Sequence, residues 1–577
     1  MFAKEGSAGG CHASWSGIWS IVLVMGVGAS IRLVHVIDTW NVPTVRHLVG
    51  DAAGYHAWAL RIVGGEWIGS EPFYQAPLYP YVLALWYWVL GESVGAVRII
   101  QALLGTWAAG LLCVSTWRLF GRSTGLVAGV MLALYAPAFF FDGIIQKTSL
   151  GCFLTCLLLA GMTWRGGRWW SAVTLVSGIV VALLVLTREN ALVWVPILLI
   201  WVAVTGWGED RGKCVRGLGT YVLGGALILG VVGVRNRAVS GEWSISTFQA
   251  GPNFYIGNHV GASGLYEPLI RGHETPVFER DDATMLAEQA TGRSMSAKEV
   301  SDYWMGQALA EIRSDVTGWL GLVGRKALLV FNRYEVADAE SQYVYSDDSR
   351  ILAVVGPIWQ LGVLGPLAMA GVVITRKEWR ELWVYYALIV SMAGSVALFY
   401  VTARYRFPLV PLLIPFAAVG VTKIWESIRN RQGRVVIGAI LAALGTAMVV
   451  NRSMLEEERL DAMAYMNVGV ALAQGGEVEP ATVYFRRAVE VNPRSAEPNN
   501  NLAMALAIQG DYEGAVAHYR MALAADATLV GVAYNLGVAL ERLGRVGEAL
   551  EQYQRAVELD RGDVEAKRAV ARLGETR

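Results

Sequence analysis

Four short stretches of this chain set ionisable residues beside long apolar segments, where each must pair, snorkel or meet a ligand. The first is GDAAGYHAWA, residues 50–59. Gly50 permits a sharp turn, Asp51 can cap a helix beginning at Ala52, and Tyr55 and Ala59 follow at i+4 spacing on one face. A capping carboxylate uses one oxygen and keeps the other, so Asp51 suits both a cap and a general base. The second stretch sets Asp142, after Phe139, Phe140 and Phe141, close to Gln146 and Lys147. Lys147 either pairs with Asp142 or meets an anion, in which case the carboxylate orients a substrate while the ammonium meets a phosphate. The third is TRENA, where adjacent Arg188 and Glu189 read as a helix-end ion pair or as site groups. The fourth is TARYRFPLVPLLIP, in which Arg404 and Arg406, held by Pro408 and Pro411, form a fork suited to a phosphate or snorkel to headgroups.

A fifth stretch, QAGPNFYIGNHVGASGLY after SGEW, mixes amides, hydroxyls and aromatic rings among glycines. Asn253, Tyr255, Asn258 and His259 there suit sugar hydroxyls and flat apolar sugar faces, and Tyr55 offers the same chemistry near Asp51. The seven histidines are scattered and no HExxH occurs, so no metal ligand is assigned. Walker, GxSxG and GxGxxG signatures are missing too, which disfavours ATP-driven transport and serine hydrolysis.

The elements that must position these residues are apolar helices. The 577 residues are 54% hydrophobic and 17% charged with a net charge of zero, which indicates a polytopic membrane protein and gives no basis for nucleic-acid binding. Near-spanning apolar runs at about 18–37, 95–118, 122–141, 143–164, 170–187, 190–207, 215–234, 351–374, 382–401, 407–425 and 434–451 predict about eleven transmembrane helices. Basic residues mark alternate connections as cytoplasmic: Arg118 and Arg122; Arg165 and Arg168; Arg211, Lys213 and Arg216; Arg376, Lys377 and Arg380; Arg429, Arg431 and Arg434. The first run is too long and bulky for a signal peptide, and residues 1–17 form a cytoplasmic tail. External loops at 38–76 and 235–350, and everything after 451, then share the opposite side. The aromatic stretch 77–91 is short for a crossing and reads as an interfacial helix, with Trp86, Tyr87 and Trp88 as belt residues. The five cysteines, Cys11, Cys113, Cys152, Cys156 and Cys214, read as small apolar fillers.

Beyond residue 451 the sequence repeats with a period of about 34. Asn467, Gly469, Gly476, Ala481, Phe485 and Ala488 recur as Asn501, Ala503, Gly510, Ala515, Tyr519 and Ala522, then as Asn535, Gly537, Gly544, Ala549, Tyr553 and Ala556. This is the tetratricopeptide (TPR) pattern, and residues 459–577 predict an α-solenoid of three repeats with a polar capping helix near 562–574. Such a stack docks a protein or peptide, or serves as a spacer.

Asp51 in the first external loop, PLYPYVLAL, the SGEW to GPNFYIGN loop and RYRFP near a late external helix end together resemble the protein-mannosyltransferase-like branch of the GT-C glycosyltransferases. The resemblance covers about residues 15–450 and makes 18–451 a GT-C-like domain. It implies an all-α polytopic fold and transfer of a hexose or pentose from a polyprenyl-phosphate donor on the extracytoplasmic side. It also implies Asp51 as general base, Asp142 as a second external acid, and Arg404 and Arg406 at the donor phosphate, with Lys147 assisting. Gln75 stands where lipid-A-modifying relatives have lysine, and Ala52 follows Asp51 where protein mannosyltransferases have an acidic pair; the acceptor therefore does not carry over. Desolvation near the interface is expected to raise the Asp51 pKa into a useful range. The expected protein is an inverting glycosyltransferase of the inner or plasma membrane, with no cofactor beyond its donor. Its TPR repeats would recruit a protein or glycan acceptor or a protein partner in the cell envelope, as in protein glycosylation. Two alternatives remain: an oligosaccharide ligase or polymerase using a pyrophosphate donor, and a non-enzymatic membrane scaffold displaying TPR repeats.

Overall fold

The structure is a computed structural model that describes residues 15–164, 169–245, 247–270, 273, 276–430, 433–529 and 531–574. Residues 1–14 of the predicted tail, with Cys11, lie outside the described residues, as do Arg165, Arg168 and Arg431. The described chain is helical, without strands, and divides into two compact units.

The first unit comprises Met1–Trp40, Gly50–Asp338 and Asp348–Met454. Among its described residues, six helices are long and apolar enough to cross a membrane: Gly17–Asp38, Val94–Phe120, Glu189–Trp207, Arg211–Ser240, Arg376–Leu398 and Ala403–Arg429. Arg122–Leu134 and Ala136–Asp142 make a seventh candidate as a pair bent by 55°. Four more of the predicted crossings are shorter apolar helices, Thr148–Met162, Trp170–Val185, Leu361–Ile374 and Val436–Val450. The reading of 351–374 as one helix is corrected, because the chain breaks between Val355 and Leu361 and Pro366 lies inside the second piece. Helix Leu78–Leu90 has 13 residues, about 20 Å at 1.5 Å per residue, short of the bilayer core. Trp88 on it is 73% exposed, whereas Tyr87 is buried and its hydroxyl lies 2.8 Å from His56 Nδ1.

Small residues let these helices approach. A Cβ on Gly178 would collide with the Tyr221 carbonyl, and one on Gly224 with that of Leu175, so helices Trp170–Val185 and Arg211–Ser240 pack backbone to backbone. The four described cysteines are free and buried in this packing.

The second unit comprises Leu455–Arg577 together with Asn41–Val49 and Ala339–Asp347. Its helix pairs Glu457–Gln474 with Val478–Val491, Ala496–Ile508 with Tyr512–Ala525, and Val532–Arg542 with Val546–Leu559 are the three repeats, followed by Val564–Gly574. The repeated residues have a direct physical reason. A Cβ on Gly537 would sit 2.7 Å from the Tyr553 ring, and Ala481, Ala515 and Ala549 are fully buried at the other helix contact. Gly476, Gly510 and Gly544 take positive φ of 83°, 86° and 74° at equivalent turns, which L side chains resist.

Candidate active site

Gly50, at φ 52°, turns the chain into helix Gly50–Val63, and Asp51, Tyr55, Ala59 and Ile62 form its buried stripe. Asp51 does not act as an N-cap. It lies inside the first turn, and its oxygens accept from three side chains: the Tyr55 hydroxyl at 3.0 Å and Arg404 Nη1 at Oδ2, and Gln75 Nε2 at 3.2 Å at Oδ1. Arg404 Nη2 meets a second carboxylate, Asp338, at 3.2 Å. The guanidinium is presented by a fixed turn: the Val401 N–H donates to Gly264 O at 3.0 Å and the Ala403 N–H to Val336 O at 2.9 Å.

Further cations adjoin this group. Lys147 Nζ lies 5.8 Å from the centre of the Tyr55 ring, and Arg188 and Arg404 lie 5.9 Å and 5.1 Å from that of Tyr405. Lys147 and Arg188 are both 3% exposed. Arg188 donates from Nη2 to Thr148 at 2.7 Å, while its Nη1 and Arg404 Nε are buried donors without a hydrogen-bond partner among the described residues. Buried guanidinium N–H groups left unmatched in this way suit an anion with several acceptor oxygens. The pairing of Arg188 with Glu189 read from TRENA does not form: Glu189 accepts instead from Gln249 at 2.7 Å and Thr247 at 3.0 Å.

A carboxyl group that the sequence reading passed over completes the arrangement. Glu279, on helix Pro276–Thr291, accepts from the Tyr74 hydroxyl at 3.1 Å, so the neighbours Tyr74 and Gln75 each serve one carboxylate, Glu279 and Asp51. Burial, reinforced by the charge of Asp51, pushes the Glu279 carboxyl up to about 7. Asp51 moves the other way. Burial would raise it, but the charges of Arg404 and Lys147 and the hydrogen bonds from Arg404 and Gln75 outweigh that and hold it below the ordinary carboxylate range. The expectation of a raised Asp51 pKa is therefore corrected: Arg404, expected at the donor phosphate, sits on the aspartate itself, and the charge of Lys147 adds to its effect. The one sequence signal for Glu279 was an acidic residue in the long polar segment 235–350, which many others share.

Other expected site residues lie elsewhere. Asp142 pairs with Arg32 Nε at 2.7 Å rather than with Lys147. Arg406 diverges from Arg404: it pairs with Glu335 at 2.9 Å and donates to the carbonyls of Leu329 at 3.0 Å, Asn332 at 2.6 Å and Tyr334 at 2.8 Å. That clamp on residues 329–335 leaves no fork for a phosphate. Asn258 is likewise taken up, bonding Phe254 O, Leu398 O, Trp319 and Lys326 at 2.8–2.9 Å. Tyr255 donates to Glu311 at 3.2 Å and packs against Trp304. Tyr55 lies in the site, and Asn253 is connected to it through the Tyr400 hydroxyl at 3.3 Å, whose ring meets Tyr405.

Residues 74–234 match the family model described as dolichyl-phosphate-mannose-protein mannosyltransferase, a segment holding Gln75, Lys147 and Arg188. Residues 481–529 and 506–573 match tetratricopeptide repeat models. No curated protein matches. Among solved structures, the Archaeoglobus fulgidus oligosaccharyltransferase complex with Zn and sulfate is 11% identical, covering 78% of this chain and 55% of its own, with a TM-score of 0.42. The same organism's oligosaccharyltransferase AglB with an inhibitory peptide and a dolichol-phosphate is 12% identical over 78% and 58%, with a TM-score of 0.41. This chain thus spans little more than half of either. The Arabidopsis OM64 TPR domain is 23% identical over 21% of this chain and 99% of its own, with a TM-score of 0.20. The chain joins a membrane domain like that of the dolichyl-phosphate-mannose-protein mannosyltransferases to a C-terminal set of tetratricopeptide repeats.

Proposed function

We propose that this protein is an inverting glycosyltransferase that moves a sugar from a polyprenyl-phosphate donor to an acceptor hydroxyl on the extracytoplasmic side. The observation that carries the reading is the cluster in which Arg404 joins Asp51 and Asp338 while Lys147 and Arg188 adjoin it. In the reaction the acceptor oxygen bonds to the sugar C1, the bond from C1 to the phosphate oxygen breaks, and the electron pair leaves with the lipid phosphate. The growing negative charge needs fixed cations, and Arg404, Arg188 and Lys147 supply them. Asp51, kept ionised by Arg404, holds the acceptor hydroxyl. Glu279, with a pKa of about 7, takes its proton, since a base near the working pH is the more effective one.

Chain order supports the extracytoplasmic placement. Helix Arg376–Leu398 begins with Arg376, Lys377 and Arg380 and ends next to the Tyr400–Arg404 turn, and helix Ala403–Arg429 starts at that turn and ends at Arg429. The site therefore lies at the opposite helix ends from the basic residues. The TPR repeats serve to recruit the acceptor or a protein partner.

Incubating the purified full chain with radiolabelled dolichyl-phosphate mannose tests the chemistry. Slow release of labelled sugar is expected, reduced about a hundredfold or more in Arg404→Ala. Release that is equal in both proteins removes Arg404 from the mechanism and refutes the reading.

A further inference from the structure

Two loops that leave and re-enter the membrane domain fold as part of the TPR unit. Asn41–Val49 and Ala339–Asp347 belong to it, and their short helices Pro43–Arg46 and Gln342–Tyr345 both pack on the first TPR helix, Glu457–Gln474. Val344, 2% exposed, is a member of the solenoid's hydrophobic core. The Tyr345 hydroxyl joins the two loops, lying 2.6 Å from Thr44 Oγ1 and donating to Glu340 at 2.5 Å. Tyr465 donates to Asp347 at 2.7 Å, His47 Nε2 lies 2.9 Å from Glu477, and a Cβ on Gly475 would run into the His47 ring. A repeat stack must cover both of its end faces. Helix Val564–Gly574 covers the last repeat with Ala566, Ala569 and Leu573, and the two loops cover the first.

Each loop is continuous with one carboxylate of the site. Val49 is followed by Gly50 and Asp51, and Ala339 is preceded by Asp338. Those are the two carboxylates that hold Arg404. We propose that the first TPR repeat fixes the backbone on which Asp51 and Asp338 stand, making Tyr345 and Gly475 positioning residues for the site. The repeats then act in cis on geometry, a role separate from recruiting a partner, and the kinetic half of this proposal rests on the transferase reading above.

The test combines Tyr345→Phe with Gly475→Ala in the full chain. Gly475 has φ −75°, which alanine accepts, so the added methyl acts on His47 rather than on the helix end. Arg572→Ala, which removes the ion pair to Glu541 at the far end of the stack, is the control, and a retained TPR melting transition shows that the solenoid is folded. Hydrogen–deuterium exchange in the double variant is expected to rise about tenfold not only in 41–49 and 339–347 but onward through 50–55 and 336–338. Release of sugar from dolichyl-phosphate mannose is expected to lose about tenfold to a hundredfold in kcat with KM unchanged, and Arg572→Ala to behave as wild type. A rise confined to 41–49 and 339–347, or an unchanged kcat, overturns the proposal. If the wild type releases no sugar, the transferase reading fails, and the exchange data alone decide whether the repeats hold the two loops.

Discussion

Replacing Asp51 with asparagine separates the two roles proposed for it, holding the acceptor hydroxyl and shaping the field around Glu279. Asparagine has the same shape and keeps an acceptor for Tyr55 or Gln75, while Arg404 keeps Asp338 at 3.2 Å. Removing one partner of a buried ion pair costs about 3–5 kcal/mol, and the surviving carboxylate places this case at the low end. Misplacing the acceptor hydroxyl reduces the rate by about a hundredfold. The further consequence concerns pH. Glu279 titrates at about 7, and the charge of Asp51 is the second cause of that elevation, after burial. Removing that charge therefore lowers the Glu279 pKa from about 7. Release of labelled mannose from dolichyl-phosphate mannose, followed from about pH 5 to about pH 9, should rise through about 7 in the wild type as Glu279 ionises. In Asp51→Asn the residual rate should rise at lower pH than in the wild type. In Glu279→Gln the acidic limb should vanish with most of the rate. If the limb stays in place in Asp51→Asn and survives in Glu279→Gln, the proton goes elsewhere and the reasoning fails.

Two further outcomes test the parts around the site. Arg406→Ala leaves Glu335 buried without its ion pair and frees the carbonyls of Leu329, Asn332 and Tyr334, so a loss of about 3–5 kcal/mol is expected in thermal or denaturant unfolding. A variant that instead keeps its stability but loses affinity for the donor would return Arg406 to the phosphate. Glu279→Gln also alters stability against pH. Its folded pKa of about 7 lies above the ordinary glutamate value of 4.5, so the folded state holds the proton more tightly and stability falls as pH rises through that window. The glutamine variant should show a flatter melting temperature between those values, and an unchanged slope would remove Glu279 as its source.

The helices and repeats were legible because their signals are local. Apolar runs predict helices at any position, and a small residue opposite an aromatic at a period of about 34 leaves a mark such as Gly537 against Tyr553. Asp51, Lys147 and Arg404 were legible for a related reason: an ionisable group at the edge of an apolar segment is conspicuous whatever it contacts. What each contacts was not legible. Asp142 and Arg32 are 110 residues apart in sequence and Arg406 meets carbonyls more than 70 residues away, so spacing gives no information about either partner. Glu279 sits in a polar segment with many acids, and its distinction lies in burial and in Tyr74, both of which are tertiary.

The same distinction explains why the chemistry moved within the site. Alone at the head of its helix, Asp51 reads as a base because burial raises a carboxylate pKa. Close to Arg404 and Lys147 it becomes a fixed anion, and its charge then raises Glu279 into the range where a base acts near neutral pH. Cations that would hold a leaving phosphate also lower the basicity of any carboxylate they touch, so a base in such a site must lie one step away from them. Tyr74 and Gln75 provide that separation: Gln75 binds the carboxylate paired with the cations, and Tyr74 binds the carboxyl that can still accept a proton.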